Sequence, residues 1–310
     1  MKIYPLDIVM VCAGMNMTGD MLDAGRSLGG SETAAIQMAE TLVRMGHHVQ
    51  MFCNTEKPHE YSGVLYSPMG WIQNRQGGGF PKAFIDYARM SPFDLCIVQR
   101  IPAMMSFQFK SKVNFLWQHD LATRTGPSNF HPQLWNIDKI LVLSQFMQKQ
   151  YQLVHGGPDQ LYSCTRNGID LKRIDSTPSG ERDRFRLTYT ARPERGLDTL
   201  LQRVFPEIQK LEPRARLYVS RYDDPATLPL YQHLEGVMQQ YGERVVNLGN
   251  LGKQALYDNY KRSRLYLYPS AFEEVSCLTA METAGCGTPF IGPWRAALPE
   301  TCANHGVLIR

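Results

Sequence analysis

Short apolar runs rich in β-branched residues alternate with helix-patterned stretches along nearly the whole chain, and this limits the possible folds more than any other feature. The first runs fall at 8–12, 49–53, 95–99, 113–117 and 140–143. Between the first two, Ala35, Met38, Ala39, Leu42 and Val43 repeat with the period of one helix face, and Gly46 is placed to end that helix. The pattern pauses near Asn167-Gly168-Ile169-Asp170, and the polar stretch 171–184, LKRIDSTPSGERDR, carries Pro and Gly as a linker would. A second series follows, with strands expected at 185–190, 215–220, 245–248, 265–268, 289–292 and 306–310. Its helices are expected near 197–211, 231–241, 253–262 and 276–284. Strands joined by helices make parallel sheets, so the chain reads as α/β with two Rossmann-like domains, 1–170 and 185–310, joined by 171–184. Such sheets take ligands at the C-terminal ends of their strands, and two facing domains would hold one in a cleft.

Composition narrows the function without naming it. The formal net charge is +4 and no block of five or six like charges exists, which argues against nucleic acid. It leaves room for an anionic ligand or a peripheral contact with an acidic membrane surface. Seven cysteines, an odd number with no C-x-x-C spacing, sit mostly in apolar runs and read as reduced and buried. The opening MKIYPLDIVMVCAGM is interrupted by Asp7 and reads as a first strand rather than a removable leader. With no run of 18 apolar residues, no membrane span is expected, and the expected location is the cytoplasm.

Three strand-to-helix loops carry candidate chemistry. Gly29-Gly30-Ser31 opens a helix, where glycine permits close approach and free N–H groups favour an anion. A plain glycine turn with Ser31 as N-cap explains it equally well. It is not G-x-G-x-x-G, and Asn54 rather than an acid closes the second strand. Ala191-Arg192-Pro193-Glu194-Arg195-Gly196 follows a strand directly. Two arginines three apart can grip a diphosphate, or else one can pair locally with Glu194.

The third loop is 269–282, where a strand ends, Glu273 and Glu274 appear, a helix begins, and Glu282 follows. Taken alone, these acids suit a cap and a surface charge. Eight residues of helix would set Glu274 and Glu282 up to ~12 Å apart, whereas paired glycosidase carboxylates lie ~5–9.5 Å apart. They therefore suit two ends of one extended ligand better than one scissile bond. The N–H groups of Val275, Ser276, Cys277 and Leu278 would meet a diphosphate between them. Ionised carboxylates accept from sugar hydroxyls, so Glu282 suits a ribose diol and Glu274 a transferred sugar.

The run EEVSCLTAMETAGCGTP, with Glu-x7-Glu and a Gly-Thr-Pro turn, resembles the signature of the retaining GT-B glycosyltransferases, family 4 in particular. LGGSETAAIQMAETLVRMGHHV resembles that family's glycine loop and first helix, FLWQHD its His-Asp strand end, and ILVLSQF the next strand. RNGID resembles its crossing between domains, YTARPERGLDTLL its diphosphate loop, and YLYPSAFEE the strand before the acidic pair. The resemblance implies that Gly30 lies under a donor diphosphate that Arg192 and Arg195 bind. Arg195 stands where many members carry lysine. It implies that Glu274 holds the donor sugar, Glu282 the ribose, and that His119 reaches the sugar near the reacting carbon. Asp120 then orients His119 or caps the next turn.

The implied reaction moves a glycosyl group from a UDP-, GDP- or ADP-sugar to a hydroxyl of a glycan, polysaccharide or glycolipid, with anomeric configuration retained. Glu274, His119 and Arg192 are its expected catalytic residues. Fixed cations and a helix N-terminus would stabilise the leaving diphosphate. No resident cofactor or metal is expected; Asp223-Asp224, the one Asp-Asp pair, precedes Pro225 and reads as a loop. Two other readings stand beside it: a sugar-nucleotide epimerase or hydrolase of similar architecture, and a protein that binds nucleotide sugars without transfer. The chain stops soon after the family's last recognisable strand, so it is expected to be either a fragment or a form with a shortened second domain. The segment Gln76-Gly77-Gly78-Gly79-Phe80 is expected to be a mobile loop that helps read the acceptor.

Overall fold

A computed structural model describes residues 4–26, 28–73, 79–124, 131–221 and 228–310. Residues 76–78 of the expected mobile loop and the Asp223-Asp224 pair lie outside them. The chain divides into two compact units, one holding 1–24 and 28–166, the other 25–27 and 167–310. The division falls just ahead of the expected linker, which is itself partly structured. Leu171–Ser176 is a short helix whose first turn is capped by the Asp170 carboxylate, accepting from the Arg173 N–H at 3.0 Å.

The strands of the first unit, in chain order, are β1 (Asp7–Asn16), β2 (His48–Asn54), β3 (His59–Tyr61), β4 (Val64–Pro68), β5 (Trp71–Gln73), β6 (Gly79–Pro81), β7 (Phe93–Gln99), β8 (Ser111–Trp117), β9 (Lys139–Val142) and β10 (Tyr162–Cys164). Its main sheet runs β10-β9-β8-β7-β1-β2-β4-β3, parallel throughout except for the edge pair β3/β4. β1 lies centrally, and Ile8, Val9, Met10, Val11 and Cys12 are each at most 2% exposed. A continuous apolar run, rather than an alternating one, is what a strand covered on both faces requires. Helix Gly30–Arg44 joins β1 to β2 and buries Ala35, Ile36 and Ala39. It ends at Arg44, and Gly46 beyond it takes the left-handed φ of +94° that the expected stop needs.

The second unit has β11 (Asp183–Tyr189), β12 (Arg216–Arg221), β13 (Val245–Asn250), β14 (Ser263–Leu267), β15 (Phe290–Pro293) and β16 (Gly306–Ile309). Its sheet is parallel in the order β13-β12-β11-β14-β15-β16. Tyr189, Tyr266 and Phe290, on neighbouring strands, stack with centroids 6.4 and 5.4 Å apart and knit the core. The helix expected near 197–211 is present, but Leu200–Val204 within it is π-helical. No helix among the described residues is long and apolar enough to cross a membrane. Six of the seven cysteines are buried, Cys164 is half-buried, and all are unpaired.

Candidate functional site

Topology selects two places before any side chain is considered. A parallel sheet has a crevice where its strand order reverses, at the C-terminal ends of the two strands flanking the reversal. In the second unit those strands are β11 and β14, and in the first β1 and β7. The arginine loop follows β11 and the acidic loop follows β14, so the second crevice joins two candidate loops that sequence alone cannot bring together.

Arg195 and Glu274 meet there, with Nη1 2.5 Å from Oε1. The same Oε1 accepts from the Tyr268 hydroxyl, and the guanidinium lies over the Phe272 ring at 4.0 Å. Glu274 is only 5% exposed, and a carboxylate so buried must be paired. Burial alone would lower the Arg195 guanidinium pKa, but Glu274 and Tyr268 outweigh it and hold it above its usual value. Burial and Glu274 likewise push the Tyr268 hydroxyl upward, so it stays protonated and donates. Gly196, at φ +104°, makes the approach possible: a Cβ there would lie 2.3 Å from the Pro269 carbonyl oxygen. On the same loop, Arg192 Nη1 lies 3.7 Å from Glu194 Oε1.

Glu282 is held by a separate pair of partners. Its Oε1 lies 2.5 Å from the Lys253 ammonium and 3.2 Å from the Tyr257 hydroxyl, with Glu282 itself 5% exposed. The two carboxylates share no partner in these contacts, which fits two separated subsites better than one acid/base dyad. The helix that starts between them and carries Glu282 is Leu278–Gly285 with Cys277 at its N-cap, not a helix from 276. Val275 and Ser276 therefore lie in the preceding loop, and the free N–H groups of the helix start belong to Leu278 and the residues after it. Glu274 ahead of the helix is anchored through its side chain and through its carbonyl, which accepts from the Ala297 N–H at 3.0 Å and is not available to a helical N–H four residues on. The helical ruler used above thus applies only from Leu278 onward.

At the first-unit crevice, helix Gly30–Arg44 begins one residue before Ser31, with Gly29 at its N-cap. Ser31 is therefore inside the first turn rather than the cap, and donates to Glu32 Oε2 at 2.9 Å. The Glu32 carboxylate itself fills the space beside the glycines: a Cβ on Gly29 would lie 2.0 Å from Oε2, and one on Gly14 2.6 Å from Oε1. An anion is thus already resident at this helix start. Asp120 is engaged by Arg100, whose Nε and Nη2 donate to its two oxygens at 2.7 and 3.2 Å. Arg100 Nη1 also reaches Ser31 Oγ at 3.2 Å. The side-chain hydrogen bonds found for Asp120 among the described residues thus come from Arg100. His119 accepts from Gln99, its Nε2 3.0 Å from the amide nitrogen, and packs on Trp117 with ring centroids 4.5 Å apart. Burial, then Arg100, depress its pKa to about 3, against a smaller upward pull from Asp120. The ring is closely surrounded although one edge of the residue stays accessible.

Lys253, Tyr257, Tyr268, Gln99 and Arg100 are site residues that sequence reasoning missed. Lys253 carried a signal: a cation at the first helical position after Gly252 opposes the helix dipole and asks for a reason. Arg100 adopts φ +66°, a strained conformation for a non-glycine residue that no residue pattern announces. Among the described residues, no group of three or more His, Cys, Asp or Glu could hold a metal ion.

The fold has solved counterparts. Sucrose-phosphate synthase from Thermosynechococcus elongatus is 18% identical with a TM-score of 0.68, the match covering 98% of this chain and 86% of that one. Anabaena HepE, in complex with UDP and glucose, is 14% identical at a TM-score of 0.67, covering 98% and 85%. The catalytic domain of starch synthase IV from Arabidopsis thaliana, bound to ADP and acarbose, is 13% identical at 0.66, covering 96% and 84%. The chain has the GT-B fold. No family model and no curated protein sequence matches it.

Proposed function

We propose that this GT-B chain is a metal-independent retaining glycosyltransferase of the family 4 type. It would move a sugar from a nucleoside-diphosphate sugar to an acceptor hydroxyl. One observation supports this most: two buried carboxylates flank a helix start at the second unit's crevice, each already facing a cation and a tyrosine hydroxyl. In this reading Glu282 accepts from the ribose diol and Glu274 from the donor sugar. Arg195 and Arg192 take the diphosphate, joined by the N–H groups of the helix start at Leu278. Arg195 Nε, buried and without a hydrogen-bond partner among the described residues, is a donor that a phosphate oxygen would satisfy. These fixed charges stabilise the leaving diphosphate as its bond to the sugar breaks. Gly29 and Gly30 would admit a donor phosphate only if the Glu32 carboxylate beside Gly29 swings away, and His119 is a hydrogen-bond partner for sugar oxygens. The solved counterparts carrying UDP or ADP agree with a nucleotide donor.

The test incubates the chain with UDP-, GDP- and ADP-hexoses, oligosaccharide or glycolipid acceptors, and EDTA, following released nucleoside diphosphate and the product's anomeric configuration. Acceptor-dependent release that persists in EDTA, keeps the donor's configuration and is lost in Glu274→Ala is expected. Free sugar without acceptor would identify a hydrolase, and binding without release would identify a binding protein.

A further inference from the structure

The side chain of Gln99, the last residue of β7, is 1% exposed and does two things at once. Its amide nitrogen lies 2.9 Å from the Ser31 carbonyl oxygen and 3.0 Å from His119 Nε2. A backbone carbonyl only accepts, so the Gln99 atom facing it must be the NH2 group; the flipped amide would set two acceptor oxygens together. An NH2 group only donates, and its second hydrogen points to His119 Nε2. That ring nitrogen must therefore be the unprotonated one. A neutral imidazole carries one proton, which leaves it on Nδ1. Among the described residues, the hydrogen bond found for this ring involves Nε2 only.

We infer that Gln99 is a positioning residue that locks His119 as the neutral Nδ1–H tautomer, so that His119 offers a ligand oxygen a hydrogen-bond donor and not a base. The choice of a sugar oxygen as that acceptor rests on the glycosyltransferase reading; the tautomer does not. The neighbouring groups agree. Arg100 and Asp120 face the ring from the ends of β7 and β8, and Glu32 faces Arg100 from the helix that carries Ser31. The positive member lies on the side that disfavours imidazolium, and burial reinforces it. The Tyr151 hydroxyl donates to the Asp120 carbonyl and leaves the Arg100–Asp120 pair intact. Protonation of Nε2 would set an N–H against the Gln99 NH2 and break one arm of the bridge to Ser31.

Side-chain nitrogen NMR tests this on the full chain without any ligand, with the His119 signals assigned by their loss in His119→Asn. The expected spectrum has a protonated Nδ1 and a bare Nε2, unchanged from pH 8 to pH 5. In Gln99→Glu, a carboxyl group that keeps a proton for the Ser31 carbonyl can still accept from Nε2, so the ring proton moves to Nε2. In Gln99→Met, which keeps the volume and removes the bridge, both tautomers are populated. An Nε2–H tautomer in the unaltered protein would overturn the inference, as would an unaltered tautomer in Gln99→Met. Because the spectrum needs no donor, a protein that binds no sugar nucleotide sinks the functional proposal while leaving this result readable.

Discussion

Among single residues, His119 makes the sharpest pH statement. Its folded pKa is depressed to about 3, chiefly by burial and then by Arg100, while an unfolded histidine titrates near ~6.5. Between those values only the unfolded chain binds the proton. This stabilisation is therefore complete above ~6.5 and is lost as pH falls toward 3, on the order of 4 kcal/mol in all. Denaturant melts of the unaltered protein and His119→Gln between pH 7 and pH 4 should show a steeper loss in the former; parallel curves would contradict the assignment. Lys253 gives a second prediction. Lys253→Met leaves Glu282 buried against Tyr257 alone, and breaking a buried pair costs ~3–5 kcal/mol, reduced here to about 2–3 because Lys253 keeps some solvent contact. The double substitution Lys253→Met with Glu282→Leu should recover most of that stability in denaturant melts, because an apolar pair replaces an ion pair with little loss. Donor affinity should not recover, since the ribose acceptor is gone. Stability and affinity recovering together would assign the pair a structural role only. Glu282 could be singled out as a candidate in the sequence because it completes the Glu-x7-Glu run. Lys253 lies 29 residues away, and only the packing of its helix beside Leu278–Gly285 brings the two charges together.

The loop after β11 depends on a single glycine. Gly196 combines φ +104° with a backbone oxygen of the neighbouring loop where its Cβ would stand. Gly196→Ala should therefore cost at least about 1–2 kcal/mol for the left-handed conformation, with further displacement of Arg195 from Glu274. Denaturant midpoints together with donor affinity check this; an unchanged midpoint would mean that the loop tolerates a shift. Most elements could be read from periodicity, and helix Lys253–Arg262 falls where the pattern puts it. Those left unassigned were short or lacked a clean period, among them strands β3, β4, β5, β6 and β10 and helices Gly19–Asp23, Lys82–Met90, Gln145–His155 and Leu298–Cys302. Helix Leu278–Gly285 starts two residues later than the pattern places it, after a loop in which Glu274 is tied to Arg195 and Ala297. The helix inside 171–184 was not legible for a related reason. A polar stretch with Pro and Gly still forms one helical turn when Asp170 caps it and Ile174 buries itself.

For the molecule as a whole, two parallel sheets with reversed strand order put every strong candidate loop at a crevice end, although the alternation pattern predicts only that the sheets exist. Strand order was not legible, because it is set by pairing between distant strands; β11 with β14 brings Arg195 to a carboxylate 79 residues on. A ligand that binds the folded chain at 100 times its Kd should stabilise it by ~2.7 kcal/mol. The most direct measurement is calorimetric titration of UDP-, GDP- and ADP-hexoses into the unaltered protein, Glu274→Gln and Glu282→Gln, with circular dichroism confirming that all three fold. Each variant removes a charged acceptor whose hydrogen bonds are worth about 1.5–3 kcal/mol. One donor should therefore bind the unaltered protein at one site, and each variant at roughly tenfold to a hundredfold lower affinity. No binding of any donor by the unaltered protein, or equal affinity in both folded variants, would contradict a donor site built on these two glutamates.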